Sequence, residues 1–452
     1  MNTTLRKRYF LPLLTWDVMR LLSRSLAHGQ VTSRPSADFT VPADFFGVNV
    51  APADDSDCDD FILSKLNELG QRHVRLALSY DDAGKSAERL LRRLLDEGFQ
   101  VALVLLLPRD DARQIMLDVN VQQRWRDFVA ATAQRYAKDV EFFEIGSTPN
   151  RRKWSGHSYR SYLLTWQLAC EAAGTYSVRL AGPNIQDFEP FANAALLSAM
   201  ARLGRLPDIH TNNLFVERVI EPEALDHRIL GHWAKVLLGF NLVKKARFLK
   251  EIDAVLGCEK LMTTCFFWTT KRLRRWSLYP QQKKVDYLCR YLVLAASSSA
   301  LSRVYLGPLI CSRDGLIDDQ SEDYPDIDNS TYYQRVRGHR QDFIVTPAFY
   351  AFAHMIKMLR GVSCITSVSS VDGLNLFVFS GADQGLFCLC WCRDGQAVTL
   401  TDVFAPEPLQ GAVFTDACGR EIANPLTIHE QLLCIDFPDR QDPADLKVTG
   451  DK

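Results

Sequence analysis

Short apolar runs recur at regular intervals along the first two-thirds of the chain. They are FFGVNV (45–50), HVRLALSY (73–80), QVALVLLL (100–107), VEFFEIG (140–146), SVRLAG (177–182), PDIHTNNLF (207–215), EKLMTTCFFW (259–268) and SRVYLGPL (302–309). Several are almost continuously apolar, the pattern of parallel strands covered on both faces. Between them, SKLNELG (64–70) and SAERLLRRLLDEG (86–98) place apolar residues at steps of three and four and stop at a Gly suited to a helix C-terminus. WRDFVAATAQRYAKD (125–139), SYRSYLLTWQLACEAAG (158–174) and VDYLCRYLVLAASSSA (285–300) behave likewise.

Eight β-then-α units in series predict an α/β fold, a (β/α)8 TIM barrel. The competing doubly wound sheet lacks support, because no Gly-rich phosphate loop follows any strand. After HMIKMLRG (354–361) the pattern changes to short alternating runs with turn signals: SVSSVDGLNLFVFSG, QGLFCLCWC, QAVTLTDVF, TDACGREI and QLLCIDF. These predict a small antiparallel β-sandwich domain. The expected organisation is a basic amphipathic segment over 1–40, the barrel over 41–361, the β-sandwich over 362–438 and a polar tail over 439–452.

The N-terminal MNTTLRKRYFLPLLTWDVMRLLSRSLAHG resembles an export signal, but Asp17 and Arg20 interrupt its apolar run and a small-x-small cleavage site is missing. A membrane span needs about 20 mostly apolar residues, and the same charges interrupt one here. The segment reads as an amphipathic helix, with packing on the barrel as one reading. Peripheral membrane or protein contact through residues 1–30 is the other. At 47% hydrophobic and 24% charged, the chain has the profile of a water-soluble globular protein. A formal charge of −1 gives no global reason to expect nucleic-acid binding. The 12 cysteines fit neither a disulfide framework nor a zinc site. Cys388, Cys390 and Cys392 alternate and would share one strand face as buried free thiols, which suits a cytoplasmic location. No His/Asp/Glu cluster has metal-ligand spacing, so neither metal nor cofactor is expected.

FEIGSTPN (143–150), followed by Trp154 and Gly156, introduces a resemblance. With DFFGVN, AGPNI (181–185), DYLCRYLVLAA, RVYLGPL and TPAFYAFAHMIKMLRG, it resembles the (β/α)8 clan of retaining glycosidases, in particular the β-xylosidase and α-iduronidase-like branch. The likeness runs from about Phe45 to Phe437. It implies a barrel closed by a helix that leads into a β-sandwich.

Retaining cleavage uses two carboxyl groups about 5–5.5 Å apart, one protonating the leaving oxygen and one attacking the anomeric carbon. In the family the acid ends the fourth strand and the nucleophile ends the seventh. Thr148 stands at the first place, after Ser147, and Cys265 at the second. A threonine hydroxyl keeps its proton near neutral pH. A thiol with an ordinary pKa of about 8.5 is mostly protonated there, and it reaches less far than a glutamate. The resemblance also implies that Asn213 replaces a His, Phe215 a Tyr and Leu306 a sugar-stacking Trp. The hydrolytic site thus reads as dismantled, with no confident catalytic residue.

Arg75 keeps the place of an Arg that partners the nucleophile in the family. It is expected either to pair with a new carboxylate or to hold an anionic ligand such as an acidic sugar. Glu144 lies four residues before Thr148, on the same strand face but deeper, where it reads as a buried hydrogen-bonding group. Glu144 and Glu217 are the carboxylates that relocated chemistry would recruit. His210 reads as a satisfied barrel histidine. Arg75, Ser147, Asn150, Trp154, Asn213, Trp268 and Tyr305 form the expected glycan-binding set, the aromatics supplying stacking faces.

The reading that follows is a glycoside-hydrolase-like protein lacking hydrolysis, binding a glycan or serving as an accessory in polysaccharide or cell-envelope metabolism. An active glycosidase or transglycosidase with relocated groups is the first alternative, and a non-catalytic protein-interaction scaffold is the second.

Overall fold

The computed structural model describes residues 16–27, 31–82, 84–214, 221–225, 238–266, 268, 270–321, 335–369, 373–381, 385–423, 425–438, 440, 442 and 446. After a two-residue strand β1 (Phe39–Thr40), the eight expected strands appear in order: β2 (Phe46–Val50), β3 (His73–Ser79), β4 (Gln100–Leu106), β5 (Phe142–Ile145), β6 (Leu180–Gln186), β7 (Ile209–Asn213), β8 (Lys260–Phe266) and β9 (Arg303–Leu306). Each pairs in parallel with the next, and β2 closes on β9 through Phe46↔Val304 and Val48↔Leu306. The fifth barrel strand begins later than SVRLAG suggested and extends to Gln186.

The strands are apolar throughout because both faces are covered. In β4, Val101 to Leu105 are all buried. The inward face builds a separate layer of Ala102, Phe142, Ala181, Ile209, Met262 and Tyr305, in which small and large side chains fill the barrel together. Gly47 makes room for this layer, since a Cβ there would lie 2.4 Å from the Tyr305 ring.

The helix Ser86–Asp96 ends as its sequence suggested: Gly98 takes φ +75, Gly98 N donates to Leu95 O and Phe99 N to Leu94 O at 2.9 Å. The N-terminal helix Trp16–Ala27 buries Val18, Leu21 and Leu22 against the helices Pro190–Arg202 and Leu242–Leu256. Packing on the barrel is therefore what its apolar face does. Among the described residues no helix is long and apolar enough to cross a membrane.

Beyond the helix Pro347–Leu359 lies the antiparallel β-sandwich domain. Two short strands, β10 (Ile317–Asp318) and β11 (Ile344–Val345), pair before that helix. The main sheet runs β1, β12 (Ser363–Ser369), β13 (Leu374–Gly381), β14 (Gly385–Cys392), β18 (Leu433–Phe437) and β16 (Val413–Asp416), counting β15 (Val398–Thr399) and β17 (Thr427–Ile428) as a separate ribbon. Phe39 and Thr40 from the N-terminal segment thus form its edge by pairing with Cys364 and Ser363.

The alternation in FCLCWC is realised: Cys388, Cys390 and Cys392 face the inner core of this domain, while Phe387, Leu389 and Trp391 join the core shared with the barrel. All 12 cysteines are free. QAVTLTDVF is not one strand, because Leu400–Val403 turns helical so that Leu400 and Val403, three apart, bury together.

The two domains are locked by Arg290, which is fully buried on the helix Pro280–Ser297. Its guanidinium donates to Glu223 Oε1 (3.0 Å), Asp394 Oδ1 (3.2 Å) and Cys392 O (3.1 Å).

Candidate functional site

The register of the barrel brings Arg75 (β3) beside Asn49 (β2), while Glu144 sits across on β5. Arg75 Nε donates to Glu144 Oε2 at 2.6 Å, and Arg75 Nη1 donates to Asn49 Oδ1 at 2.9 Å. Asn49 is itself fixed, because its Nδ2 donates to Thr264 O (3.0 Å) and Leu306 O (3.2 Å). Burial opposes the Arg75 charge, but the touching Glu144 carboxylate outweighs it and holds the guanidinium pKa above its ordinary value. Cys265 and Tyr305 lie close enough to act in the same direction. Of the two expected fates for Arg75, the structure shows pairing with a carboxylate. Glu144 is fully buried, and its Oε1 has no hydrogen-bond partner among the described residues.

At the end of β5 the chain turns sharply. Gly146 and Thr148 take φ +70 and +49, in the left-handed region that a β-branched residue seldom enters. Thr148 N donates to Asn184 O at 3.0 Å, which pins this turn to the end of β6. Asn150 extends the tie by imitating a strand rung: its Nδ2 donates to Gln186 O (2.8 Å), and Gln186 N donates to its Oδ1 (3.0 Å). A belt of neutral polar groups continues round the mouth. Asn184 Nδ2 approaches Ser147 Oγ at 3.5 Å, and Thr264 Oγ1 meets both Asn184 Oδ1 (2.9 Å) and Asn213 Oδ1. Cys265 follows Thr264 at the end of β8 and is 8% exposed.

The aromatic residues divide. Trp154 is half-buried on the helical turn Arg152–Ser155. Trp268 does not offer the expected stacking face, because it is buried with ring centroids 5.7 Å from Tyr287 and 5.8 Å from Tyr291. Tyr305 does not either. It is fully buried in the barrel interior, and its hydroxyl accepts from Arg303 Nη1 at 3.1 Å. Leu306 is also buried. Phe215 and Glu217 lie outside the described residues. His210 is satisfied within the structure, its ring nitrogens 2.7 Å from Asp253 Oδ1 and 2.9 Å from Asn193 Oδ1, all three side chains buried.

Sequence reasoning passed over a second feature of the same end of the barrel. An open pocket of about 290 Å³ lies between the segment after β8, which supplies Thr270, Arg274 and Gln281, and the segment after β9, which supplies Ser312, Asp318 and Gln320. Hydroxyl and amide residues drawn from two separate segments have no characteristic spacing. The available signal was RRWSLYP (274–280), an unusually aromatic and basic run between strands. Among the described residues no group of three or more His, Cys, Asp or Glu is placed to hold a metal ion.

No protein-family model matches the chain, and no curated protein matches it in sequence. Solved structures do match in shape. A family 39 glycoside hydrolase from the gut symbiont Bacteroides cellulosilyticus WH2 superposes with a TM-score of 0.62 at 14% identity, over 88% of this chain and 81% of that one. A glucosidase from Croceicoccus marinus gives 0.57 at 12% identity, over 89% and 96%. The catalytic domain of the GH30 xylanase C from Talaromyces cellulolyticus gives 0.51 at 11% identity, over 89% and 98%. At such identities the likeness is one of fold: this chain shares the (β/α)8 barrel of these glycoside hydrolases.

Proposed function

We propose that this is a glycosidase-like protein without retaining hydrolysis, one that binds a glycan and serves as an accessory in polysaccharide or cell-envelope metabolism. The observation that carries the reading is the Arg75–Glu144 pair. Retaining chemistry needs one carboxyl to give a proton and another to attack carbon. At the ends of β5 and β8 those places hold Thr148 and Cys265. Glu144, the carboxylate nearest them along β5, is buried and bound by a guanidinium at 2.6 Å. That contact ties the carboxylate to Arg75 within the barrel interior. Losing a general acid costs roughly 10²- to 10⁴-fold in rate, and the nucleophile is missing as well.

The neutral belt of Ser147, Asn184, Asn213 and Thr264 suits sugar hydroxyls, which donate and accept alike. Twelve free cysteines favour a reducing compartment, consistent with a cytoplasmic location.

The test is a panel of aryl β-xylosides, β-glucosides and α-iduronides beside a glycan array. The expected result is array binding without turnover. Turnover that disappears in Cys265→Ala or Glu217→Gln would establish the relocated-site enzyme instead. Absence of both turnover and glycan binding would leave the interaction scaffold.

A further inference from the structure

The pocket between the segments after β8 and β9 has its own chemistry, distinct from the Arg75–Glu144 pair. Its walls carry three kinds of group: the hydroxyls of Thr270 and Ser312, the amides of Gln281 and Gln320, and the charges of Arg274 and Asp318. Arg274 and Asp318 bring one positive and one negative charge to the same pocket.

The β9 side is held in place. Asp318 belongs to β10, which pairs with β11, and its Oδ1 accepts from Gln320 N at 2.8 Å. The buried Asp319 braces the same segment, accepting from Ser312 N (2.7 Å), Arg337 N (3.2 Å) and Gly338 N (3.1 Å). On the β8 side, Gln281 Oε1 is a buried acceptor with no hydrogen-bond partner among the described residues. Such a group is costly to leave unmatched and is satisfied when a donor enters.

The stretch of chain joining two of the lining residues has the opposite character. Between the lining residues Arg274 and Gln281 the chain exposes Trp276 (77%), Leu278 (92%) and Tyr279 (75%), whereas nearby Trp268 is buried. Large apolar residues exposed together next to a polar pocket mark a binding surface.

A sugar ring matches both halves, with hydroxyls round its edge and C–H faces that stack on aromatic rings. A volume of about 290 Å³ lies near the lower end of small-molecule sites, so it suits one ring rather than a chain. Building on the glycan-binding reading above, we propose that this pocket seats one residue of an uncharged oligosaccharide. Trp276 and Tyr279 then receive the neighbouring residues. The opposite charges of Arg274 and Asp318 favour a neutral over an acidic sugar.

The test uses the full chain and isothermal titration with xylohexaose, cellohexaose, laminarihexaose and trigalacturonate, after a neutral-glycan array. Trp276→Ala is a change at an exposed position that leaves folding intact, and Gln281→Ala and Asp318→Asn alter the walls. Each is expected to weaken the best neutral ligand about tenfold, the scale of losing one good contact. Leu426→Ala, at an exposed position of the β-sandwich domain, is expected to leave it unchanged.

Neutral-glycan binding that ignores all three pocket variants would overturn this site while the glycan-binding reading stands. Tighter binding of trigalacturonate than of every neutral hexasaccharide would overturn the neutral assignment. No binding across the array would overturn the site together with the reading beneath it.

Discussion

Arg75 Nε lies 2.6 Å from Glu144 Oε2 within the barrel, and the pair joins strands β3 and β5 across the intervening β4. Asn49 Oδ1 accepts from the same guanidinium at 2.9 Å, so Arg75 ties three strands of the barrel together. The pair is a structural bridge, and the consequences are measurable.

Removing one partner strands the other charge. Glu144→Ala is expected to lower the unfolding free energy by about 3–5 kcal/mol, the usual cost of breaking a buried pair. The double variant Arg75→Met/Glu144→Leu removes both charges and should lose far less. Urea unfolding of the three proteins checks this; equal losses in the single and double variants would show that packing rather than charge sets the cost.

Asp286 makes stability depend on pH. It is buried on the helix Pro280–Ser297, with Oδ1 accepting from Gln282 Nε2 at 2.9 Å and Oδ2 without a partner among the described residues. Burial raises its pKa from 3.8 to about 7; Gln282, Arg290 and Lys283 pull it down, and Glu430 pushes it up. A carboxyl whose folded pKa is raised lends stability that is whole below its unfolded pKa, near 4. That stability is lost as pH climbs through about 7. The contribution is roughly 4 kcal/mol. Asp286→Asn stays neutral throughout, so its advantage over the parent should widen between about pH 4 and 7 and then level off. An advantage that is constant with pH would refute the assignment.

The N-terminal helix provides a contrast between its two faces. Leu21 and Leu22 are buried against the barrel helices, whereas Trp16 is 80% exposed. Leu22→Ala should cost about 2–3 kcal/mol, at the lower end for core leucines. Trp16→Ala should stay within about 0.5 kcal/mol. The same pair separates packing from docking in vesicle co-sedimentation with anionic lipids. If the outer face binds such a surface, Trp16→Ala reduces sedimentation although stability is unchanged.

The barrel was legible because parallel strands covered on both faces must be apolar almost throughout, as Val101 to Leu105 are. The buried thiols were legible for a related reason, since alternation in a strand fixes which face Cys388, Cys390 and Cys392 share. What one strand cannot reveal is its partner across the barrel. Arg75 was recognisable as a charge seeking a counter-ion, but only closure of the sheet chose Glu144. Trp268 was misjudged for the same reason: its environment is set by Tyr287 and Tyr291 on the following helix rather than by its place at the end of a strand. The pocket after β8 and β9 was invisible because its walls come from two segments far apart in sequence, whose hydroxyls and amides share no period.

Thr148 holds a backbone conformation that its own side chain opposes. Its φ of +49 places Cβ against the following carbonyl, a clash worth about 1–2 kcal/mol for an L-residue and worst when Cβ is branched. The turn cannot relax, because Gly146 before it is also left-handed and Thr148 N is tied to Asn184 O at 3.0 Å. Asn is unbranched at Cβ and enters this region with local hydrogen bonding. It also avoids the extra unfolded-chain entropy that a glycine would bring. Thr148→Asn is therefore expected to raise the unfolding free energy by about 1 kcal/mol, read as a higher urea midpoint with an unchanged slope. Thr148→Val keeps the branch and loses the hydroxyl, so it should give no gain. If Val stabilises as much as Asn, the hydroxyl and not the backbone is the source of the penalty, and the turn is unstrained.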